Sequence, residues 1–174
     1  MEYIDILNEK GEKTGEVKSK DEVHEKGLWH RATHVWFINS KNEILLQKRA
    51  NKRAYPYFWD ISVAGHISAG EDSLVSAERE ILEEVGVVIS KNDLVLIGIV
   101  KQSYVINDGN YINNEFDDIY VVKTNLEISD FKFNDGEVES VEYVSKELFK
   151  QWVQEGKDDL VPHPEEYDLL LKSI

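Results

Sequence analysis

The chain has 174 residues, 34 of them acidic and 20 basic, for a formal net charge of -14. A surface this acidic disfavours nucleic acid and anionic membranes as partners, because phosphate binding relies on Lys and Arg. The chain has no cysteine, which excludes disulfides, thiolate metal sites and a cysteine nucleophile.

Met1 to Lys20 is rich in Glu and Lys and holds no apolar stretch of signal-peptide type. Tyr3–Leu7 and Glu16–Val17 flank Asn8-Glu9-Lys10-Gly11, which predicts a hairpin turn. Ser19-Lys20-Asp21-Glu22 has capping-box spacing and predicts a short helical turn. Thr33–Ile38 and Glu43–Gln47 are β-like segments joined by the polar turn Asn39-Ser40-Lys41-Asn42. Phe58–Val63 is a short strand candidate that leads into glycine. Residues 72–85 carry the clearest helical pattern. Leu94–Ile106, Ile119–Thr124 and Val141–Val144 are further strand candidates. The longest apolar run, Leu94 to Val100, is too short to span a bilayer. Ser145 predicts a cap for a helix over 146–155 with Gly156 as its stop. His163-Pro164 reads as helix-start geometry for a last helix to about Leu171. No repeat or linker divides the chain, so residues 1–174 are expected to form one soluble, cytoplasmic domain. Strands before, between and after helices predict an α/β fold: a mixed sheet with helices on both faces.

On the helix over 72–85, successive residues turn by about 100°. With Glu80 at the origin, Glu83 falls near about -60° and Glu84 near about +40°. Leu74, Ala77, Ile81 and Val85 form a separate apolar stripe. Three carboxylates on one face repel one another. They read either as a solvated acidic face or as a ligand set for Mg²⁺ or Mn²⁺, since hard cations prefer oxygen donors. Arg79 lies beside Glu83 and is placed to steer a carboxylate. Gly86 sits where a left-handed C-terminal residue is wanted.

The wider spacing decides between these readings. Gly65, five residues, Glu71, seven residues, then Arg79-Glu80-Ile81-Leu82-Glu83-Glu84-Val85-Gly86-Val87 resembles the Nudix signature at every fixed position. From average residue usage, a chance match in such a chain is on the order of one in a million. The resemblance implies an α/β/α sandwich around a mixed sheet, with residues 65–87 forming a loop, helix and loop. It implies that the Gly65 carbonyl and Glu80, Glu83 and Glu84 hold Mg²⁺ or Mn²⁺. It further implies that Glu80 is a base or metal ligand, that Arg79 orients it, and that Glu71 supports the metal shell. Metals so held would lower the pKa of bound water and neutralise charge on the phosphorus. The implied activity is hydrolysis of a diphosphate linkage in a small organic or nucleoside diphosphate derivative. A non-catalytic diphosphate-binding module is the alternative from another class.

From about His24 to Tyr120 the chain also resembles type I isopentenyl-diphosphate isomerases and the Nudix hydrolases nearest them. "WDISVAGHISAGE" is particularly similar to the hydrolase branch. The resemblance places a metal near the positions of His24, His30, His66 and Glu115, with Asn113 where a second glutamate stands. It places Arg49 and Lys52 or Arg53 against a substrate diphosphate, and matches Tyr104 to an active-site tyrosine. Ala64 stands where the isomerases need a cysteine, which favours hydrolysis over isomerisation. Glu115 is the expected metal ligand from outside the motif, and His66 is either a metal-shell residue or loop packing. His30 is either a strand-end histidine or part of the substrate and metal pocket. Lys48, Arg49, Lys52 and Arg53 form the one basic group, suited to phosphate because a diphosphate needs cations beyond the metal. Trp36, Trp59, Tyr55 and Tyr57 are expected to pack in the core or at a rim. A small-molecule diphosphate is the expected partner. Oligomeric state stays open, a homodimer included.

Overall fold

The computed structural model describes the whole chain, Met1–Ile174. β1 (Tyr3–Leu7) and β2 (Lys13–Ser19) form a hairpin in which Asn8 Oδ1 accepts from Lys10 N at 2.9 Å and Glu12 N at 3.0 Å. An Asn side chain that takes backbone donors in this way holds the turn. α1 (Lys20–Lys26) is capped by the Ser19 hydroxyl, which accepts from Glu22 N at 3.4 Å. The expected box closes only on that side, because the Glu22 carboxylate turns to Lys26 at 2.6 Å.

β3 (Trp29–Ile38) starts four residues earlier than its apolar pattern predicts, and β4 (Glu43–Arg49) follows it. The strand expected over 58–63 is two strands, β5 (Trp59–Asp60) and β6 (Val63–His66). The reason is that β5 pairs with β4 while β6 pairs with β3, so the chain crosses between sheet edges at Ile61-Ser62. Ser62 eases the crossing, since its hydroxyl accepts from Phe37 N at 3.0 Å. α2 (Ser73–Val85) carries the acidic face, β7 (Val95–Ile106) matches its expected span, and β8 (Tyr111–Lys123) begins eight residues before its apolar pattern does. That polar half is held as strand by pairing with β3 on one side and β7 on the other. β9 (Val138–Ser145), α3 (Lys146–Glu155) and α4 (Pro164–Ser173) complete the chain.

The sheet is mixed: β3 runs parallel to β8 and antiparallel to β1, β4 and β6. Alternation along the central strands makes two cores. Val35, Phe37, Leu45, Tyr120 and Val122 pack with Ala77, Ile81 and Val85 of α2. Trp36, Ile38, Ile44, Leu46, Ile119 and Val121 pack on the other face with Phe149 of α3 and Tyr167 and Leu170 of α4. The result is the expected α/β/α sandwich.

α2 ends at Gly86, whose φ of 69° lies in the left-handed region and whose N–H donates to Leu82 O at 3.1 Å. A Cβ there would stand 2.6 Å from Lys132 O. Gly86→Ala is therefore expected to cost roughly 1–3 kcal/mol through backbone strain, seen as a lower urea midpoint. Ser145→Ala, which removes only the cap of α3, should cost about 1 kcal/mol. An unchanged midpoint for Gly86→Ala would contradict this close approach.

Candidate active site

β6 divides the site. Successive residues of a strand face opposite ways, so Gly65 faces α2 while Ala64 and His66 face the other side of the sheet. A Cβ at Gly65 would overlap the Glu80 carboxyl, so only glycine lets strand and helix approach this closely. Arg79 ties the helix to the loop before it. Its guanidinium donates to Glu80 Oε1 at 2.6 Å, Glu83 Oε2 at 3.3 Å, Glu71 Oε2 at 3.1 Å and the His66 carbonyl at 3.2 Å. One cation thus gathers three of the motif's carboxylates, and a planar fork of five donors suits that task.

The carboxylates differ in environment. Glu83 is exposed. Glu80 is buried, and that burial pushes it up to about 7 in spite of Arg79. Glu84 is 2% exposed, and burial raises it to about 8. It lies behind the site rather than at its rim, accepting from Gln47 Nε2 at 2.9 Å and Ala64 N at 3.3 Å.

On the other side of β6, three histidines and Glu115 converge. His24 Nδ1 lies 3.2 Å from Ile112 O, and His30 Nδ1 lies 2.9 Å from Leu28 O. These carbonyls turn the Nε2 atoms inward. His24 Nε2 is 3.1 Å from His66 Nε2, and Glu115 Oε1 is 3.0 Å from His30 Nε2 and 3.5 Å from His66 Nε2. Burial, with the neighbouring rings, lowers His24 to about 3 and also lowers His66. His30 and His66 hold Glu115 ionised against its own burial. Two imidazoles that meet nitrogen to nitrogen beside a carboxylate fit a cation with borderline-soft ligand preference.

A cavity of about 600 Å³ opens onto both groups. Gly65, His66, Glu71, Arg79, Glu80, Glu83 and Glu115 line it, and so do Arg49, Lys52 and Arg53. Besides Glu84, two expected residues lie outside this lining. His30 has no exposed surface and stands behind Glu115, so it belongs to the histidine group rather than to a substrate-contacting wall. Lys48 points away and stands 6.0 Å over the Trp59 ring. The basic group is also less free than its sequence implies. Arg49 donates to Asp60 Oδ2 at 2.6 Å, Lys52 to Glu137 Oε2 at 2.5 Å and Arg53 to the Asn110 carbonyl at 2.7 Å. Of the aromatics, Trp36 is core, Tyr57 is exposed and Tyr55 lines the cavity beside Tyr104.

Several wall residues escape sequence reasoning. His163 does more than start a helix: its Nε2 lies 3.1 Å from Asp60 Oδ1, and its Nδ1 lies 3.3 Å from Gln102 Oε1. His163 and Arg49 hold Asp60 ionised well below the usual carboxylate range, although burial opposes it. Asp60, Gln102 and His163 come from β5, β7 and the residue before α4, so no local spacing joins them.

Residues 28–163 match the family model of the NUDIX domain. Nudix hydrolase 3 of Arabidopsis thaliana is 43% identical over 166 residues, covering 93% of this chain and 22% of the plant protein. An uncharacterised Nudix hydrolase of Clostridium acetobutylicum is 38% identical over 141 residues, covering 79% of this chain and 66% of that protein. This chain therefore spans only part of both proteins. Isopentenyl-diphosphate Delta-isomerase of Serratia proteamaculans is 36% identical over 105 residues, or 60% of this chain and 56% of the isomerase. The crystal structure of DR0079 from Deinococcus radiodurans superimposes with a TM-score of 0.69 at 20% identity, covering 99% of this chain and 98% of that one. At that identity the likeness concerns the fold.

Glu80 and Glu84 make the metal-free chain sensitive to alkali. Their folded values of about 7 and about 8 lie above the ordinary 4.5. The folded state therefore holds more protons than the unfolded one, and stability falls as pH rises through those folded values. His34 and Asp117, also raised, act in the same sense, whereas His24 and His66 act in the opposite sense, but only below their ordinary 6.5. Thermal melts in EDTA should therefore drop from about pH 6.5 to about pH 8.5, and Mg²⁺ should reverse the drop. A Glu80→Gln variant should flatten part of the drop, and an unchanged drop in that variant would show that Glu80 is not held neutral.

Proposed function

Because the chain belongs to the Nudix family, we propose that it is a metal-dependent hydrolase that cleaves the diphosphate linkage of a small organic or nucleoside diphosphate derivative. The observation that carries this reading is the convergence of Gly65, Arg79, Glu80 and Glu83 on one wall of a cavity, with Glu84 directly behind them. The Gly65 carbonyl and the three helix carboxylates would hold Mg²⁺ or Mn²⁺, with Glu115, which lines the same cavity, as the ligand from outside the motif. When bound, the cation lowers the pKa of a water and offsets charge on the phosphorus under attack. The chain's own residues supply position. Arg79 fixes Glu80 Oε1, so the carboxylate is pre-aimed as base or ligand. Glu71 accepts from Ser76 Oγ at 2.6 Å and anchors Arg79 in turn.

Substrate phosphates would be met from the opposite wall. Arg49 is locked by Asp60, so it shapes the pocket and contributes field rather than a free fork. Lys52 is paired with a Glu137 side chain that is 42% exposed, and Arg53 holds a backbone carbonyl and lies 5.5 Å over the Tyr111 ring. Exposed ion pairs are worth little, so an incoming phosphate can recruit both side chains. His24, His30, His66 and Glu115 form a second candidate cation group, in keeping with the resemblance to the isomerases. Ala64 lines the cavity where a proton-transferring thiol would be needed, and a methyl group neither gives nor accepts a proton.

EDTA should abolish hydrolysis of the best substrate in a panel of diphosphate compounds, and Mg²⁺ or Mn²⁺ should restore it. Glu83→Gln should lower kcat by orders of magnitude while leaving the thermal melt intact, because Glu83 is exposed and sits among like charges. Full turnover in metal-free buffer, or a Glu83→Gln variant at the wild-type rate, would place the chemistry elsewhere.

Incubated with isopentenyl diphosphate and Mg²⁺, the protein should form no dimethylallyl diphosphate at enzyme-like rates, as followed by NMR. Release of isopentenyl monophosphate and phosphate would identify a substrate. Isomerisation at such rates would overturn the preference for hydrolysis.

A further inference from the structure

Beside the histidine group lies a second set of donors that diphosphate cleavage does not use. His34 of β3 and Asp117 of β8 are buried, and one donor atom from each lies within 4.8 Å of one from Glu115 and of the other. Asp117 is 0% exposed, and neither of its oxygens has a hydrogen-bond partner. Buried carboxylates are normally paired, hydrogen-bonded or bound to a metal, because an isolated one is costly. The nearest positive group is His34 Nε2, at 3.7 Å from Oδ1, too far for a hydrogen bond.

The ring of His34 is held from behind. Its Nδ1 donates to Glu166 Oε2 at 2.8 Å, and Glu166 Oε1 accepts from Trp36 Nε1 at 2.8 Å. This pins the imidazole with Nε2 turned towards Asp117. A carboxylate on the far nitrogen is the outer-shell contact that orients metal-bound histidines and raises their basicity. Access exists as well, since His34 and Glu115 both line the cavity.

We propose that His34 Nε2, the Asp117 carboxylate and Glu115 form a buried site for a divalent transition cation such as Zn²⁺ or Mn²⁺, separate from the acidic face of α2 and sharing Glu115 with the histidine group. The nitrogen donor sets its preference, since imidazole suits this class whereas Mg²⁺ and Ca²⁺ take oxygen ligands. Uptake of the cation requires His34 Nε2 and the Asp117 carboxyl to be free of protons, so binding releases protons to solvent. Glu115 then faces two centres, with Oε1 towards His30 and His66 and Oε2 on the Asn113 and Gln102 side.

The test counts zinc rather than turnover. The full chain is stripped with chelator, loaded with Zn²⁺, desalted and analysed for zinc per chain. Asp117→Asn keeps the shape of the side chain and removes the anionic ligand, and His34→Gln removes the nitrogen donor. Each variant should retain one zinc fewer than wild type, and metal-free Asp117→Asn should melt no lower than metal-free wild type. Equal zinc counts in wild type and Asp117→Asn would overturn the proposal and leave His34 as an imidazolium between Glu166 and Asp117. Loss of all bound zinc in Asp117→Asn would also overturn it, since the site would then not be separate. Should His34→Gln fail to fold, the Asp117→Asn comparison decides alone.

Discussion

The parallel pairing of β3 with β8 is the constraint on which the rest of the molecule depends. It runs in unbroken register from Trp29↔Asn114 to Ile38↔Lys123. At one end of the ladder, Trp36, Ile38, Ile119 and Val121 fill one core while Val35, Phe37, Tyr120 and Val122 fill the other. At the other end, the same alternation sets His30 opposite Glu115 and aligns His34 and Asp117 on the same face. A slip of one residue would turn every side chain to the wrong side. The apolar half of the ladder therefore fixes the register, and the polar half inherits it. Chemistry is placed by packing that lies several residues away.

Charge is the second organising quantity. A chain with a formal charge of -14 does not disperse its acids evenly. Many of its buried carboxylates line or underlie one cavity, and each is handled differently. Asp60 is held ionised by Arg49 and His163 and Glu115 by histidines, while Glu166 accepts hydrogen bonds from His34 and Trp36. Glu80 and Glu84 are left with raised values, and Asp117 has no hydrogen-bond partner at all. Perturbed carboxylates cluster at functional sites because metal binding and proton transfer need such groups poised rather than satisfied. Arg79 limits the cost by serving several acids at once.

The cavity walls carry a division of labour. The motif wall is built on a helix and a short strand that glycine brings into contact, so its geometry is rigid. The facing wall comes from the segment after β4, from β7 and from the start of α4, where Lys52 and Arg53 have weak partners. Substrate choice in folds of this kind resides in such connections.

Local patterns determine much of this protein. The hairpin at Asn8–Gly11, the cap at Ser145, the stop at Gly156 and the carboxylate face of α2 all rest on contacts within a few residues. Their spacing alone carries the signal, because a helix or turn repeats on that scale. The same holds for the Nudix signature, in which Gly65 through Gly86 span the end of β6, one loop and one helix. The polar half of β8 was not legible, because pairing with two neighbours overrides its lack of an apolar period. Nor was the burial of His30, the capture of Arg49 by Asp60, or the place of His163 in the wall. Those partners lie far apart in the chain, and register between strands decides them. A sequence displays what a short stretch of backbone can do by itself; which buried acid meets which base is a property of the closed sheet.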